Sequence, residues 1–149
     1  MHFETIEHRR VTIKQSMQRG ERKSKIEEYL RQCLVESYRV MEKDKISFHN
    51  NIADELYLDI YNESDKFIGI VKITLSNDEK VGYLEISIPN PEWSLRYGTE
   101  ALHQVIKRCK ETSLTTLILN ENNVIVTRYK AQRPNVVPKE NNEVDFKEV

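Results

Sequence analysis

Residues Val81 to Leu119 read VGYLEISIPNPEWSLRYGTEALHQVIKRCKETSLTTLIL, and their pattern settles most of the architecture. Val81 to Ile88 has the apolar, β-branched character of a strand. Pro89 and Pro91 end it, because proline has no backbone N–H to give to a ladder. Asn90 to Gly98 is expected to be a loop. Ala101, Leu102, Val105, Ile106 and Cys109 then recur at helical spacing along one stripe, and Leu114 to Leu119 reads as a buried strand. A strand, a helix and a second strand in this order form a crossover, so the two strands should lie parallel.

Upstream, Glu55 to Tyr61 alternates and Phe67 to Leu75 is β-branched and apolar, with turn chemistry at Asn62-Glu63-Ser64-Asp65 between them. Asn77 to Lys80 is a second turn, so three antiparallel strands form a meander. Arg10 to Lys14 suggests a short first strand, and Ile26, Tyr29, Leu30, Cys33, Leu34 and Met41 share one face of a helix. Downstream, Asn120 to Asn123 is a turn. Val124 to Ala131 suits a short helix, although its Val-Ile-Val run would equally suit a strand. Pro134 and Pro138 break the chain, and Glu143 to Val149 is either an edge strand or a loose tail. The class is α/β (α+β): a mixed, mostly antiparallel central sheet with helices on both faces.

The chain has 149 residues, enough for one domain and one core. Its 23 Lys/Arg against 24 Asp/Glu leave a net charge of −1, so no global basic field exists to gather nucleic acid or anionic lipid. His8 to Arg31 holds eight Lys/Arg against three acids, without the interleaved aromatics of a nucleic-acid surface, and reads as a solvated face. No apolar run approaches the ~18 residues of a membrane span, and the first ten residues lack the apolar core of a signal peptide. A cytoplasmic protein with reduced, buried Cys33 and Cys109 is expected. The four histidines are scattered without metal-ligand spacing, and neither a nucleophile elbow nor a phosphate loop of the GxxxxGK[ST] type occurs.

One junction remains. In Trp93-Ser94-Leu95-Arg96-Tyr97-Gly98-Thr99-Glu100, a loop runs into a helix whose first N–H groups lack partners. Those amides and the positive end of the helix dipole favour an anion. Gly98 can take a positive φ and let the backbone approach a ligand, and Arg96 can add a charge-assisted contact. The same residues are equally compatible with a helix that simply starts here, with Gly98 as its turn residue.

The residues Gly82-Tyr83, Ile86-Ser87-Ile88-Pro89 and Trp93 to Leu102 resemble the acetyl-CoA-binding motif of the GCN5-related N-acetyltransferase (GNAT) superfamily, in its ribosomal-protein and small-molecule acetylating branch. That branch reads GYxI, a proline-containing loop, then a [Q/R]xxGxG/A turn continuing as GYGTEAL. Tyr97 to Leu102 match it in register. The family also places an Asn at the start of the last helix and a Tyr seven residues on, here Asn122 and Tyr129. Trp93 stands where the family has Gln or Arg, Arg96 where it has the first Gly of the turn, and Arg133-Pro134 where it has Gly-Phe.

The resemblance implies a single GNAT-like domain over residues 1–149, with 134–149 as an edge strand or a loosely ordered tail. It implies acetyl-CoA as co-substrate, lying where the strands Val81–Ile88 and Leu114–Leu119 splay apart. Backbone groups of Ile86, Ser87 and Ile88 would pair with its pantetheine arm, and amides from Leu95 to Thr99 would hold its pyrophosphate. Trp93, Ser94, Arg96, Tyr97, Gly98 and Asn122 complete the implied cofactor site. The implied activity moves an acetyl group from acetyl-CoA to a primary amine by direct attack in a ternary complex. The attacking amine must be neutral, although a lysine amine begins at a pKa of ~10.4, and the leaving thiolate needs a proton. Glu85 is the candidate base; its bland alternative is a solvated residue on the strand's polar side. Tyr129 is the candidate acid; its alternative is a helix-face Tyr packed on the sheet. A second functional reading is a catalytically degenerate module that binds CoA or a protein partner in a regulatory role. Met41 to Asp65 is acidic by five and fits a cationic amine acceptor, small molecule or protein. A homodimer is left open.

Overall fold

The computed structural model describes residues 3–15, 52–138 and 142–149, and six strands and two helices lie within them. The strands are β1 (Ile6–His8), β2 (Val11–Gln15), β3 (Ile52–Asn62), β4 (Phe67–Ser76), β5 (Val81–Ser87) and β6 (Thr116–Leu119). The helices are α1 (Pro91–Lys110) and α2 (Val124–Gln132). The sheet runs in chain order from β1 to β6; its first five strands are antiparallel, and β6 joins β5 in parallel. The expected crossover is therefore present. The helix expected over Ile26 to Met41, with Cys33, lies outside the described residues. Strand β1 was not anticipated, because its three residues are too short to show a period; it is held by Ile6 pairing with Ile13.

The turns follow their side chains. Asn62 Oδ1 accepts the N–H groups of Ser64 and Lys66 at 3.0 Å each, with Asp65 at φ 60°. Asp78 accepts from the Ser76 hydroxyl at 2.8 Å and the Lys80 N–H at 3.0 Å, with Glu79 at φ 57°. Val124–Gln132 resolves as helix rather than strand, since Asn123 caps it: Oδ1 accepts from Ile125 N–H at 2.8 Å. The C-terminal segment is expected as an edge strand or a loose tail. It makes a single antiparallel bridge, Ile118 to Glu143, beside β6 and then a 3-10 turn at Phe146–Glu148.

Alternation gives the sheet two unlike faces. Leu56, Leu58, Ile60, Val71, Ile73, Leu75, Leu84, Ile86, Leu117 and Leu119 join Ala101, Leu102, Val105 and Ile106 of α1 and Ile125, Val126 and Tyr129 of α2 in one continuous core. Cys109 is in that core, and burial pushes its thiol up to about 12, so it stays protonated and inert. The other face carries Tyr57, Lys72 and Glu85 in one cross-strand row. All three are buried, an unusual environment for two charged residues.

Candidate active site

Helix α1 starts at Pro91, before Trp93 rather than after Gly98. Asn90 sits just outside it, and its Oδ1 accepts the N–H groups of Glu92 at 3.0 Å and Trp93 at 3.2 Å. The Ser94 N–H donates to the Asn90 carbonyl at 2.8 Å. Pro91 has no N–H to leave unsatisfied, and its fixed φ suits the first helical position. The two prolines therefore act differently: Pro89 closes the strand and Pro91 opens the helix.

Three expectations are corrected by this start. The segment Asn90 to Gly98 is not a loop, and the amides of Leu95 to Thr99 lie in the helical ladder, so they do not form an anion cradle. Gly98 is helical and has no need of a positive φ. A Cβ there would stand 2.8 Å from Ile125 Cγ1, so its value is the close approach of α2. Arg96 does not contact an anion site: its Nη2 lies 3.5 Å from Glu63 Oε1 in the β3–β4 turn, and its guanidinium covers the Tyr97 ring. Tyr97 is buried and donates to Glu63 at 2.6 Å, which holds its own pKa above, and that of Glu63 below, the usual range. Leu95 is exposed, Thr99 and Trp93 are partly buried, and Trp93 packs against the core.

The parallel pairing of β5 with β6 stops short of the end of β5. The last β5–β6 pair is Leu84 with Leu119, after which the Asn120 N–H donates to the Leu84 carbonyl at 3.0 Å. Strand β5 runs on to Ser87, and among the described residues no strand pairs with this edge of Glu85 to Ser87. The first turn of α2 stands beside it. Asn123, rather than Asn122, is the N-cap, and its Nδ2 donates to the Ile86 carbonyl at 2.6 Å. Asn122 is exposed. Ile88, just past the strand, is buried. The hydroxyls of Ser87 and Ser94 are buried and make no hydrogen bond among the described residues, which is costly for a buried donor. Arg128 of α2 reaches the first turn of α1, its Nη1 3.2 Å from the Ser94 carbonyl.

Glu85 is 2% exposed, so the solvated-residue alternative is ruled out. Asn120 Nδ2 donates to its Oε2 at 3.3 Å, and Lys72 stands opposite on β4. Lys72 Nζ lies 3.4 Å from Glu55 Oε1 and over the Tyr57 ring, whose hydroxyl donates to Glu55 Oε2 at 2.8 Å. Tyr129 is fully buried between the helices and meets His103 of α1, with 2.8 Å between the hydroxyl and Nδ1. Burial, then the charges of Arg133, Lys107 and His8, lower His103 to about 4, so the ring is neutral at physiological pH. Burial raises the Tyr129 phenol to about 12.

Sequence reasoning missed Asn120, Asn123, His103, Arg128 and Lys72. Asn123 had a signal, since Asn before an apolar run is a preferred cap. The other four owe their places to contacts across 34 or 35 residues (Arg128 with Ser94, Asn120 with Glu85), 26 (His103 with Tyr129) or a strand pairing, which leave no local trace.

Residues 23–131 match the family model of the acetyltransferase (GNAT) family. This chain belongs to the GNAT family. No curated protein matches the sequence of this chain. Solved structures share its fold: a Vibrio cholerae protein described as a ribosomal-protein-serine acetyltransferase is 16% identical, with a TM-score of 0.52 over 86% of this chain and 80% of that one. The Campylobacter jejuni N-acetyltransferase PseH is 12% identical, with a TM-score of 0.50 over 90% and 94% of the two chains. The sheet order and the β5–α1–β6 crossover are thus those of a GNAT fold. Among the described residues, no helix is long and apolar enough to cross a membrane.

Proposed function

We propose that this GNAT chain is a single-domain, cytoplasmic N-acetyltransferase that moves an acetyl group from acetyl-CoA to a primary amine by direct attack in a ternary complex. The observation that supports the reading is the β5 edge from Glu85 to Ser87, which outruns β6 beside the first turn of α2 and includes a buried carboxylate. Acetyl-CoA supplies an activated thioester whose carbonyl carbon is open to an amine. The backbone of Ile86, Ser87 and Ile88, the Ser87 and Ser94 hydroxyls, Trp93, Asn122 and the Arg128 guanidinium are the groups that would hold it. With the first-turn amides of α1 already capped by Asn90, anion recognition falls to side chains, and Arg128 is the cation beside that turn.

Glu85 takes the proton from the ammonium form of the acceptor, which cannot attack while protonated. Asn120 holds the carboxylate in place through Oε2. Tyr129 gives its phenol proton to the departing sulfur, and the proton that the nitrogen still carries after attack leaves to water. The buried carboxylates Glu85 and Asp59 on this face, with Glu55, suit a cationic acceptor. Calorimetric titration with acetyl-CoA, followed by a thiol-release assay over an amine panel, tests the reading. Binding and turnover are expected, and Glu85→Gln should lower kcat by ~10²-fold or more while leaving acetyl-CoA affinity unchanged. No binding heat at millimolar acetyl-CoA overturns the proposal.

A further inference from the structure

Between the two helices the buried Tyr129 meets the half-buried His103, and nothing in the reaction as described above uses the imidazole. The hydroxyl and Nδ1 are 2.8 Å apart and the ring centroids 5.8 Å, tilted by 36°. A neutral imidazole carries one N–H, and a phenol can both give and accept a hydrogen bond, so two arrangements satisfy this distance. If Nδ1 is bare, it takes the only proton Tyr129 has. If Nδ1 carries the hydrogen, the phenol oxygen accepts, and its own proton is turned elsewhere.

We propose that His103 is a positioning residue: its Nδ1–H donates to Tyr129 Oη and leaves the phenol proton to the departing sulfur. This rests on the reading of Tyr129 as the acid. The charged groups acting on the imidazole are Arg133 from the end of α2, Lys107 from α1 and His8 from β1. All three oppose an imidazolium, and of the two neutral tautomers only the one with its hydrogen on Nδ1 leaves the phenol proton free for sulfur, so the acid reading of Tyr129 selects it. Arg133 also lies with its guanidinium carbon 5.8 Å from the Tyr129 ring centroid. In the step itself, the C–S bonding pair goes to sulfur, sulfur takes the Tyr129 proton, and a phenolate remains. That phenolate meets the Nδ1–H donor and the Arg133 charge, and water returns its proton afterwards. The imidazole keeps its own hydrogen throughout, so His103 orients and stabilises without transferring a proton.

Nitrogen NMR of the full chain labelled in histidine, at neutral pH, should show His103 protonated on Nδ1 and bare on Nε2. The reverse tautomer overturns the proposal, whether or not an acceptor amine has been found. In the acetyl-transfer assay, His103→Leu should lower kcat about 10-fold or more with the KM for acetyl-CoA unchanged. His103→Asn, whose amide can donate from near the Nδ1 position, should recover most of the loss. In a Tyr129→Phe background His103→Leu should cost nothing further. A His103→Leu enzyme with wild-type kcat beside an impaired Tyr129→Phe enzyme overturns the His103 role alone. A Tyr129→Phe enzyme at full rate removes the acid reading and this proposal with it.

Discussion

Replacing Gly98 with Ala gives an effect whose sign depends on one contact. In the interior of α1, a glycine-to-alanine change should stabilise the helix by about 1 kcal/mol through propensity alone. A Cβ at this position, however, falls 2.8 Å from Ile125 Cγ1, 3.0 Å from Cδ1 and 3.2 Å from Cγ2. These are not the tip of a flexible side chain: Cγ1 and Cγ2 are fixed to the β-branch of a residue that is 1% exposed. Relief requires α2 to move away from α1, and overpacking of this kind costs about 1–3 kcal/mol. The net expectation for Gly98→Ala is a loss of up to about 2 kcal/mol despite the better helix former. In an Ile125→Ala background all three clashing atoms are gone, so the same substitution should become stabilising by up to about 1 kcal/mol. Urea denaturation of the four proteins of this double-mutant cycle, followed by circular dichroism, reads both signs. If Gly98→Ala stabilises the wild-type background, the close approach of α1 and α2 does not explain this glycine.

Further substitutions address the caps and the buried polar groups. Asn90→Ala should cost about 1 kcal/mol by freeing the Glu92 and Trp93 amides; unchanged stability would return the helix start to the far side of Gly98. Asn123→Ala removes both a cap and the donor to the buried Ile86 carbonyl, for a loss of about 1–3 kcal/mol. Asn123→Ser, which keeps a capping oxygen without facing the Ile86 carbonyl, should lose less in the same denaturation series. Lys72→Met leaves Glu55 without its buried cation and should cost about 3–5 kcal/mol, much of it recovered in the Lys72→Met/Glu55→Gln pair. His103 titrates near 4 when folded and at ~6.5 when unfolded, so the unfolded chain binds more protons between those values. Stability therefore falls as pH drops from about 6.5 to 4; solvent screening reduces the full shift to a contribution of about 1–2 kcal/mol. His103→Leu should flatten that part of the stability–pH curve, and an unchanged slope would refute the assignment.

Local chemistry made much of this chain legible. The meander from Glu55 to Ile88 and the parallel crossover follow from alternation, turn residues and helical spacing, which act over a few residues. The start of α1 was legible too, in Asn90-Pro91, because an amide cap and an N1 proline are local preferences. It was misread only because proline after a strand is also a terminator. Asn123 likewise outcompetes Asn122 as the cap of α2 by geometry that extends only two or three residues.

Local pattern alone marks out most of the elements, their order and the residues available to the GNAT motif, though not the three-residue β1. The tertiary structure decided what those residues do. Gly98 is explained by Ile125, Arg96 by Glu63, Ile86 by Asn123 and Tyr129 by His103, all pairs well separated along the chain. Periodicity says which face of an element turns inward, but not which element covers it or which polar group waits there. Lys72 and Glu85 alternate like solvent-facing residues and are nonetheless buried, because a strand has two faces and only packing decides whether the second one is wet.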